Sequence, residues 1–326
     1  MKFGGSSLAE PEKIKVMAER AVKARAGGAA VVMAVSAPAD ITDDLITLSK
    51  LITSKPEPRE YDALLSAGET VSASLMAMAI RARGVGAVSL SGGQAGIRTG
   101  SRHGDADITA VTPARILKEL RKGKIAVAAG FQGVNKAGDV TTLGRGGSDL
   151  TAVALARALR AAMCELYTDV KGVYTANPAV VPQAKLIKRI SYDAVMELAR
   201  SGTEVRQLRA IAYARKYGIV LRLRSSFENG EGTLVGDFKR AGLKPEVTCF
   251  SINHMGDSAW IHLIGSKLDA PEIKTAIRRT AAAGGHRLNK ETYSPDKVSL
   301  AAAFRSGEPL LKALHRIFIQ NLKPAQ

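Results

Sequence analysis

Cysteine, histidine and aromatic residues are all scarce in this sequence. Its two cysteines, Cys164 and Cys249, lie far apart, in no CxxC pair and at no Cys/His ligand spacing. That argues against a disulfide framework and a zinc site, and the five scattered histidines add no metal signature. Aromatics make up 5% of the chain and are nowhere interleaved with Arg and Lys as a base-stacking surface would be, which argues against a dedicated nucleic-acid binder. Uninterrupted apolar runs stay short of the roughly 18 residues of a spanning helix, and no signal-type segment opens the chain. A cytoplasmic protein with no membrane partner is expected.

Acidic residues are outnumbered too. Against 30 Asp and Glu stand 47 Lys and Arg, a net charge of +17. Such a balance attracts anions but says little about fold. With 326 residues, 46% of them hydrophobic, the chain is long enough for a full core split over two domains.

What is present is an alternation of helix and strand patterns. Ile14, Met17, Ala18, Ala21 and Val22 recur at helical spacing between Leu8 and Arg25, and Gly27-Gly28 supplies the stop. Ala29–Val35 then reads as a strand covered on both faces. Further helices are predicted over Thr42–Ile52, Tyr61–Arg83, Pro113–Arg121, Asp149–Ala161, Tyr192–Arg200 and Val205–Tyr217. Strands are predicted over Ala87–Leu90, Lys124–Gly130, Glu165–Val170 and Ile219–Arg224. This order implies an α/β domain over residues 1–236, with a mostly parallel sheet sandwiched by helices. Residues 246–326 read as a smaller α+β regulatory or assembly domain. Its strands fall at Val247–His254, Ala259–Gly265, His286–Tyr293 and Val298–Phe304, and its helices at Pro271–Ala283 and Pro309–Phe318.

Three segments of the first domain are suited to anions. Lys2-Phe3-Gly4-Gly5-Ser6-Ser7 couples a mobile cation to paired glycines before a helix, though a plain tight turn uses the same residues and the Walker A spacing is absent. Leu143-Gly144-Arg145-Gly146-Gly147-Ser148-Asp149 offers an arginine fork, a hydroxyl and a carboxylate at a helix start. In the plain reading Ser148 is an N-cap and Arg145 is solvated. Tyr167-Thr168-Asp169-Val170 closes an apolar strand, where ligands of open α/β sheets bind.

Together these segments resemble the aspartokinase family of the amino-acid kinase superfamily. The resemblance rests on Lys-Phe-Gly-Gly at 2–5, Val-Ser-Ala at 35–37, Gly-Glu at 68–69 and Gly130-Phe131-Gln132-Gly133. It continues through the run 141–149, Tyr-Thr-Asp-Val at 167–170, Gly-Val-Tyr-Thr at 172–175, Ile-Ser-Tyr at 190–192, Arg-Ser-Ser-Phe at 224–227 and Gly-Thr-Leu-Val at 232–235. It covers residues 2–236, and the C-terminal domain resembles a single diverged ACT-type unit more weakly.

The resemblance implies an ATP-dependent phosphotransferase with a carboxyl acceptor. An aspartate kinase uses ATP and Mg²⁺ to phosphorylate the β-carboxylate of L-aspartate, giving 4-phospho-L-aspartate for lysine, threonine and methionine synthesis. By position, Lys2 and Asp149 would be catalytic. Ser36, Thr42, Glu69, Arg145, Gly146, Gly147 and Ser148 would bind the acceptor, with Glu69 on its ammonium and Arg145 on its carboxylate. Lys2, Phe3, Gly4, Gly5, Ser6, Thr168, Asp169 and Tyr174 would bind nucleotide. No residue is assigned as a metal ligand. A homodimer joined through the C-terminal domain is also implied.

Four features depart from the family pattern. Ala179 stands where a basic contact is usual and Asn177 where an acid is usual. Glu204 replaces a lysine, and a carboxylate about 4 Å from a phosphate would cost roughly 4 kcal/mol at an effective dielectric of 20 unless paired, with Arg206 and Arg209 the nearest partners or replacements. Only Met1 precedes Lys2, so the family's first inner strand is expected to be absent or cut off. Two rival readings stay open: an amino-acid kinase with another acceptor or nucleotide, and a non-catalytic nucleotide sensor or basic scaffold built on Arg206, Arg209, Arg215, Lys216, Arg222 and Arg224.

Overall fold

A computed structural model describes residues 1–202, 208–238 and 244–320. In chain order the elements are β1 (Lys2–Phe3), α1 (Pro11–Ala26), β2 (Val32–Val35), α2 (Ile41–Ile52), α3 (Pro58–Arg81), β3 (Ala87–Leu90), β4 (Ile97–Thr99) and β5 (Ile108–Val111). They continue with α4 (Ala114–Arg121), β6 (Ile125–Ala129), β7 (Gln132–Val134), β8 (Val140–Thr142), α5 (Gly147–Ala158), β9 (Cys164–Thr168), β10 (Arg189–Ser191), α6 (Tyr192–Arg200), α7 (Leu208–Tyr217) and β11 (Leu221–Ser225). The last are β12 (Thr233–Gly236), β13 (Glu246–Met255), β14 (Ser258–Ser266), α8 (Pro271–Ala283), β15 (Leu288–Tyr293), β16 (Lys297–Ala303) and α9 (Gly307–His315).

The chain divides into two compact units. Met1–Lys171 and Arg209–Glu231 form the first, while Gly172–Leu208 and the chain from Gly232 onward form the second. Residues 172–202 and the strand β12, which sequence motifs group with the first domain, thus have their contacts in the second unit.

The first unit is built on the parallel strands β11-β9-β1-β2-β6-β3. Of the first strand, expected to be absent or cut off, the two residues Lys2 and Phe3 are present, held between β2 and β9. Pairing on both sides supplies the hydrogen bonds that two residues could not make alone. Strand alternation divides the core. Ile125, Val127 and Ala129 face Met17 and Ala21 of α1 and Met76 and Ile80 of α3. Ala126 and Ala128 face Ile116 of α4 and Leu155 of α5. Each such fully buried Ile, Leu or Met contributes about 1.5–3 kcal/mol. A small second sheet, β5-β4-β7-β8, lies in the same unit. By length and composition α3 could cross a membrane. Its buried face, however, carries Asp62 and Glu69 in hydrogen bonds to Thr142 and Ala37, as befits a core helix.

The second unit holds the parallel pair β10 and β12 and an antiparallel sheet in the order β13-β14-β16-β15. Ile273 and Ile277 of α8 and Leu310 and Leu314 of α9 cover that sheet through Phe250, Ile261, Leu263 and Leu300. This is the small α+β layer expected of the C-terminal segment.

Candidate active site

Parallel strands end on one edge, and their register decides what meets there. Phe3 pairs with Val35 on one side and Tyr167 on the other, and Val35 pairs with Ala129. The next residues, Gly4, Ser36, Gly130 and Thr168, therefore form one row at the carboxyl ends of β1, β2, β6 and β9. Backbone bonds carry the row one step beyond the strands, from Ser36 N to Phe3 O at 3.1 Å and from Gly130 N to Val35 O at 2.9 Å.

Lys2 and Asp149 meet beside this row. Lys2 Nζ lies 2.9 Å from Asp149 Oδ1, and both side chains are below one-tenth exposed. The contact is ionic rather than a directed hydrogen bond, since Asp149 Oδ1 has no hydrogen-bond partner. A Cβ on Gly4 would stand 3.5 Å from the ammonium, and one on Gly5 would press to 3.0 Å from the Ala37 carbonyl. Backbone and cation thus form a bare concave corner fit for a phosphate.

Asp149 is held there by the geometry of the α5 start. Gly146, with φ of 76°, is the N-cap, so Gly147, Ser148 and Asp149 make up the first turn. Ser148 is inside the helix rather than its cap. A Cβ on Gly130 would come within 2.8 Å of Ser148 Cβ and 2.9 Å of Val35 O, so β6 and α5 approach as only glycine allows. The adjacent Phe131 takes φ of 64°, a strained value for a large side chain, and its N–H donates to Thr151 Oγ1 at 3.2 Å. Arg145 sits four residues before Asp149 on the same loop, exposed and without an ion pair among the described residues.

Glu69 completes the corner from α3. Its Oε1 accepts from Ala37 N at 3.1 Å, while Oε2 is buried with no partner among the described residues. Burial pushes its carboxyl up from 4.5 to about 7. A buried carboxylate with one oxygen unused is a site for a cationic group. Ser36 and Thr42 are half-buried, on the loop after β2 and in the first turn of α2.

The remaining residues are placed less uniformly. Phe3 is fully buried and stacks on Tyr167 at 4.6 Å, leaving only its backbone for a ligand. Ser6 is exposed on a short 3-10 turn, and Gly146 and Gly147 lie at the α5 start. Thr168 accepts from Val170 N at 3.3 Å, so it, not Asp169, caps the turn after β9, and Asp169 is exposed. Tyr174 belongs to the second unit, where it pairs with Leu186. Glu204 and Arg206 lie outside the described residues. Arg222 and Arg224 are tied to Glu165, and Arg209 to Asp105 and Asp107. Missing from the sequence-based selection are the backbone of Ala37, Gly68, Phe131 and Thr151. The motifs Val-Ser-Ala at 35–37, Gly-Glu at 68–69 and Gly130-Phe131-Gln132-Gly133 are the signals that marked this neighbourhood, without giving these residues a role.

Residues 1–225 match the amino acid kinase family. The chain belongs to that family. It is 51% identical over 235 residues to the aspartokinase of Corynebacterium glutamicum, a match covering 72% of this chain and 56% of the relative. Identity to the aspartokinase of Mycolicibacterium smegmatis is 48% over 299 residues, covering 91% of this chain and 70% of the other. Among solved structures, aspartokinase III of E. coli in complex with aspartate and ADP shares the fold at TM-score 0.77 and 21% identity, covering 96% of this chain and 98% of that one. Aspartate kinase from Synechocystis aligns at TM-score 0.65 and 29% identity over 100% of this chain and 70% of its own. The aspartokinase resemblance read from the motifs is borne out, and the chain spans 56% of the length of the first relative.

Proposed function

We propose that this amino acid kinase is an aspartate kinase, moving the γ-phosphoryl group of ATP to the β-carboxylate of L-aspartate. The observation that carries the proposal is the buried Lys2–Asp149 pair at the row of strand ends, accompanied by the unused oxygen of buried Glu69 and by exposed Arg145, which has no ion pair among the described residues. An amino acid with two carboxylates presents one cation and two anions. Glu69 receives the ammonium, Arg145 the α-carboxylate, and the β-carboxylate is left to face Lys2.

Phosphoryl transfer asks for alignment and charge compensation rather than covalent help. The acceptor carboxylate is already ionised at neutral pH, so no general base is required, in keeping with a corner lacking histidine. Lys2 shifts from Asp149 toward the equatorial phosphoryl oxygens as charge builds there, and Asp149 keeps the ammonium within reach. Gly4 and Gly5 present backbone to the nucleotide phosphates, and Thr168 and Asp169 take the nucleoside end. Mg²⁺ belongs to the proposal through ATP, whose charge it neutralises. Among the described residues no cluster of three His, Cys, Asp or Glu could hold an ion, and Asp149 is engaged by Lys2. Among the described residues there is no cage for the ion, which would be held chiefly by the nucleotide's own phosphates. Residues 246–326 are read as an ACT-like domain that joins a homodimer, and the compartment as the cytoplasm.

Hydroxylamine trapping of the acyl phosphate tests this. The chain, incubated with ATP and either aspartate or glutamate, should give hydroxamate with aspartate alone. Product only with another acceptor or another nucleotide would replace the substrate assignment. No product under any pairing would remove the activity.

A further inference from the structure

Arg209 belongs to α7. Among the described residues its guanidinium donates four hydrogen bonds. Nη1 donates to Asp105 Oδ1 at 2.6 Å and to Leu143 O at 2.5 Å. Nη2 donates to Ala106 O at 3.2 Å and to Asp107 Oδ1 at 3.0 Å. One planar fork thus spans two chain segments, the turn 104–107 and the residue that opens the Leu143–Gly146 loop.

That loop carries Arg145. Its Gly144 takes φ of 71°, and a Cβ there would stand 2.8 Å from Asp105 Oδ1, so the loop rests against the carboxylate that Arg209 grips. The turn is braced from behind as well. Asp62 of α3 accepts from Gly104 N at 3.1 Å and 3.0 Å and from Thr142 Oγ1 at 2.6 Å, with His103 Nδ1 at 2.8 Å. Residues 142 and 143 are therefore fixed from both α3 and α7 just before the chain reaches Arg145.

We infer that Arg209 is a positioning residue for acceptor recognition: by bonding Leu143 O and neutralising Asp105 and Asp107, it fixes the Arg145 loop and keeps those carboxylates from capturing Arg145 or repelling the acceptor's α-carboxylate. The inference rests on the aspartate kinase assignment for the identity of that acceptor. Lysine cannot replace arginine in this role, because an ammonium lacks the planar fork that reaches four acceptors in two segments.

The test compares Arg209→Met and Arg209→Lys with the unaltered chain. With Met, KM for aspartate should rise about tenfold while kcat and KM for ATP stay within about twofold, the mark of lost uniform binding of one substrate. Lys should recover less than half of that change. Hydrogen exchange should accelerate at amides 144–147 in both variants, without a matching change across α1 or β2. Unchanged KM for aspartate, or a fall of kcat and both KM values together with a large loss of Tm, would overturn the positioning role. Full recovery by Lys would overturn the fork. If the unaltered chain yields no aspartyl hydroxamate, the substrate assignment fails, and the exchange result alone decides whether Arg209 holds the loop.

Discussion

Lys2 Nζ and Asp149 Oδ1 lie 2.9 Å apart with almost no solvent contact, one on the central strand and the other on the first turn of α5. A buried pair of this kind adds little over an apolar pair, but removing one partner strands the other charge. Asp149→Ala should therefore lower stability by about 3–5 kcal/mol, and the double change Lys2→Met with Asp149→Ala should cost less than either loss added to the other. Chemical denaturation of the four proteins measures this. Strict additivity would show that the two groups do not interact.

Glu69 gives the account a pH dependence. Its carboxyl is raised from 4.5 to about 7 by burial, so the neutral form is favoured in the free protein and the ionised form in the unfolded chain. Stability from this group is present below pH 4.5 and is lost as pH rises through 7, by about 3 kcal/mol in total. Glu69→Gln should remove that loss and leave the ligand-free protein more stable than the original at pH 8. Denaturation curves at pH 5 and pH 8 check it, and equal pH dependence in both proteins would contradict it.

Aspartate binding needs the ionised form. Affinity for aspartate should therefore fall about fivefold between pH 7 and pH 6, as the ionised fraction of a carboxyl titrating at about 7 drops from about one half to about one eleventh. Calorimetry should find proton release on binding at pH 6, abolished in Glu69→Gln. Binding independent of pH over this range would place the ammonium elsewhere.

Gly130 is predicted to admit no side chain. A Cβ there meets Ser148 Cβ at 2.8 Å and the Val35 carbonyl at 2.9 Å, and the backbone oxygen cannot turn aside. Gly130→Ala should cost about 1–3 kcal/mol by overpacking and push α5, with Ser148 and Asp149, off the sheet edge. A lowered Tm with reduced kcat is the expected pair of readouts, and unchanged values for both would show slack in that contact.

Arg145 should behave in the opposite way. Being exposed and without an ion pair among the described residues, it can be replaced by Ala at a stability change within about 0.5 kcal/mol, while KM for aspartate rises. A variant with normal KM would remove Arg145 from acceptor recognition.

The larger elements were legible in the sequence because their burial is periodic. The α1 stripe Ile14, Met17, Ala18 and Ala21 is buried as its spacing predicts, and β6 alternates between two cores as a central parallel strand must. The small sheet was not legible. Its strands β4, β7 and β8 have three residues each, too short to show a period, and they are held by partners distant in sequence. β1 was expected to be absent or cut off because only Met1 precedes Lys2, and it is two residues long, ordered by pairing with β2 and β9 rather than by any pattern of its own. The start of α5 was placed two residues late, at Asp149, because Gly146 and Gly147 read as loop until the close approach of β6 explains them.

At the site, the motifs showed which residues to gather but not their bonds. Arg209 was expected near phosphate or Glu204, whereas two aspartates more than a hundred residues upstream claim it. Likewise the Ala37 amide that fixes Glu69 is a backbone group, invisible to any pattern of side chains.

The most direct test of the central claim is turnover of Lys2→Ala in the hydroxamate assay, at saturating ATP and aspartate and beside the unaltered chain. As a lost donor to charge developing in transfer, Lys2 should take about 100- to 1,000-fold of turnover with it, or about 3–4 kcal/mol. The variant should keep its fold by circular dichroism, with a lowered Tm. A folded Lys2→Ala protein turning over at the original rate would contradict the account.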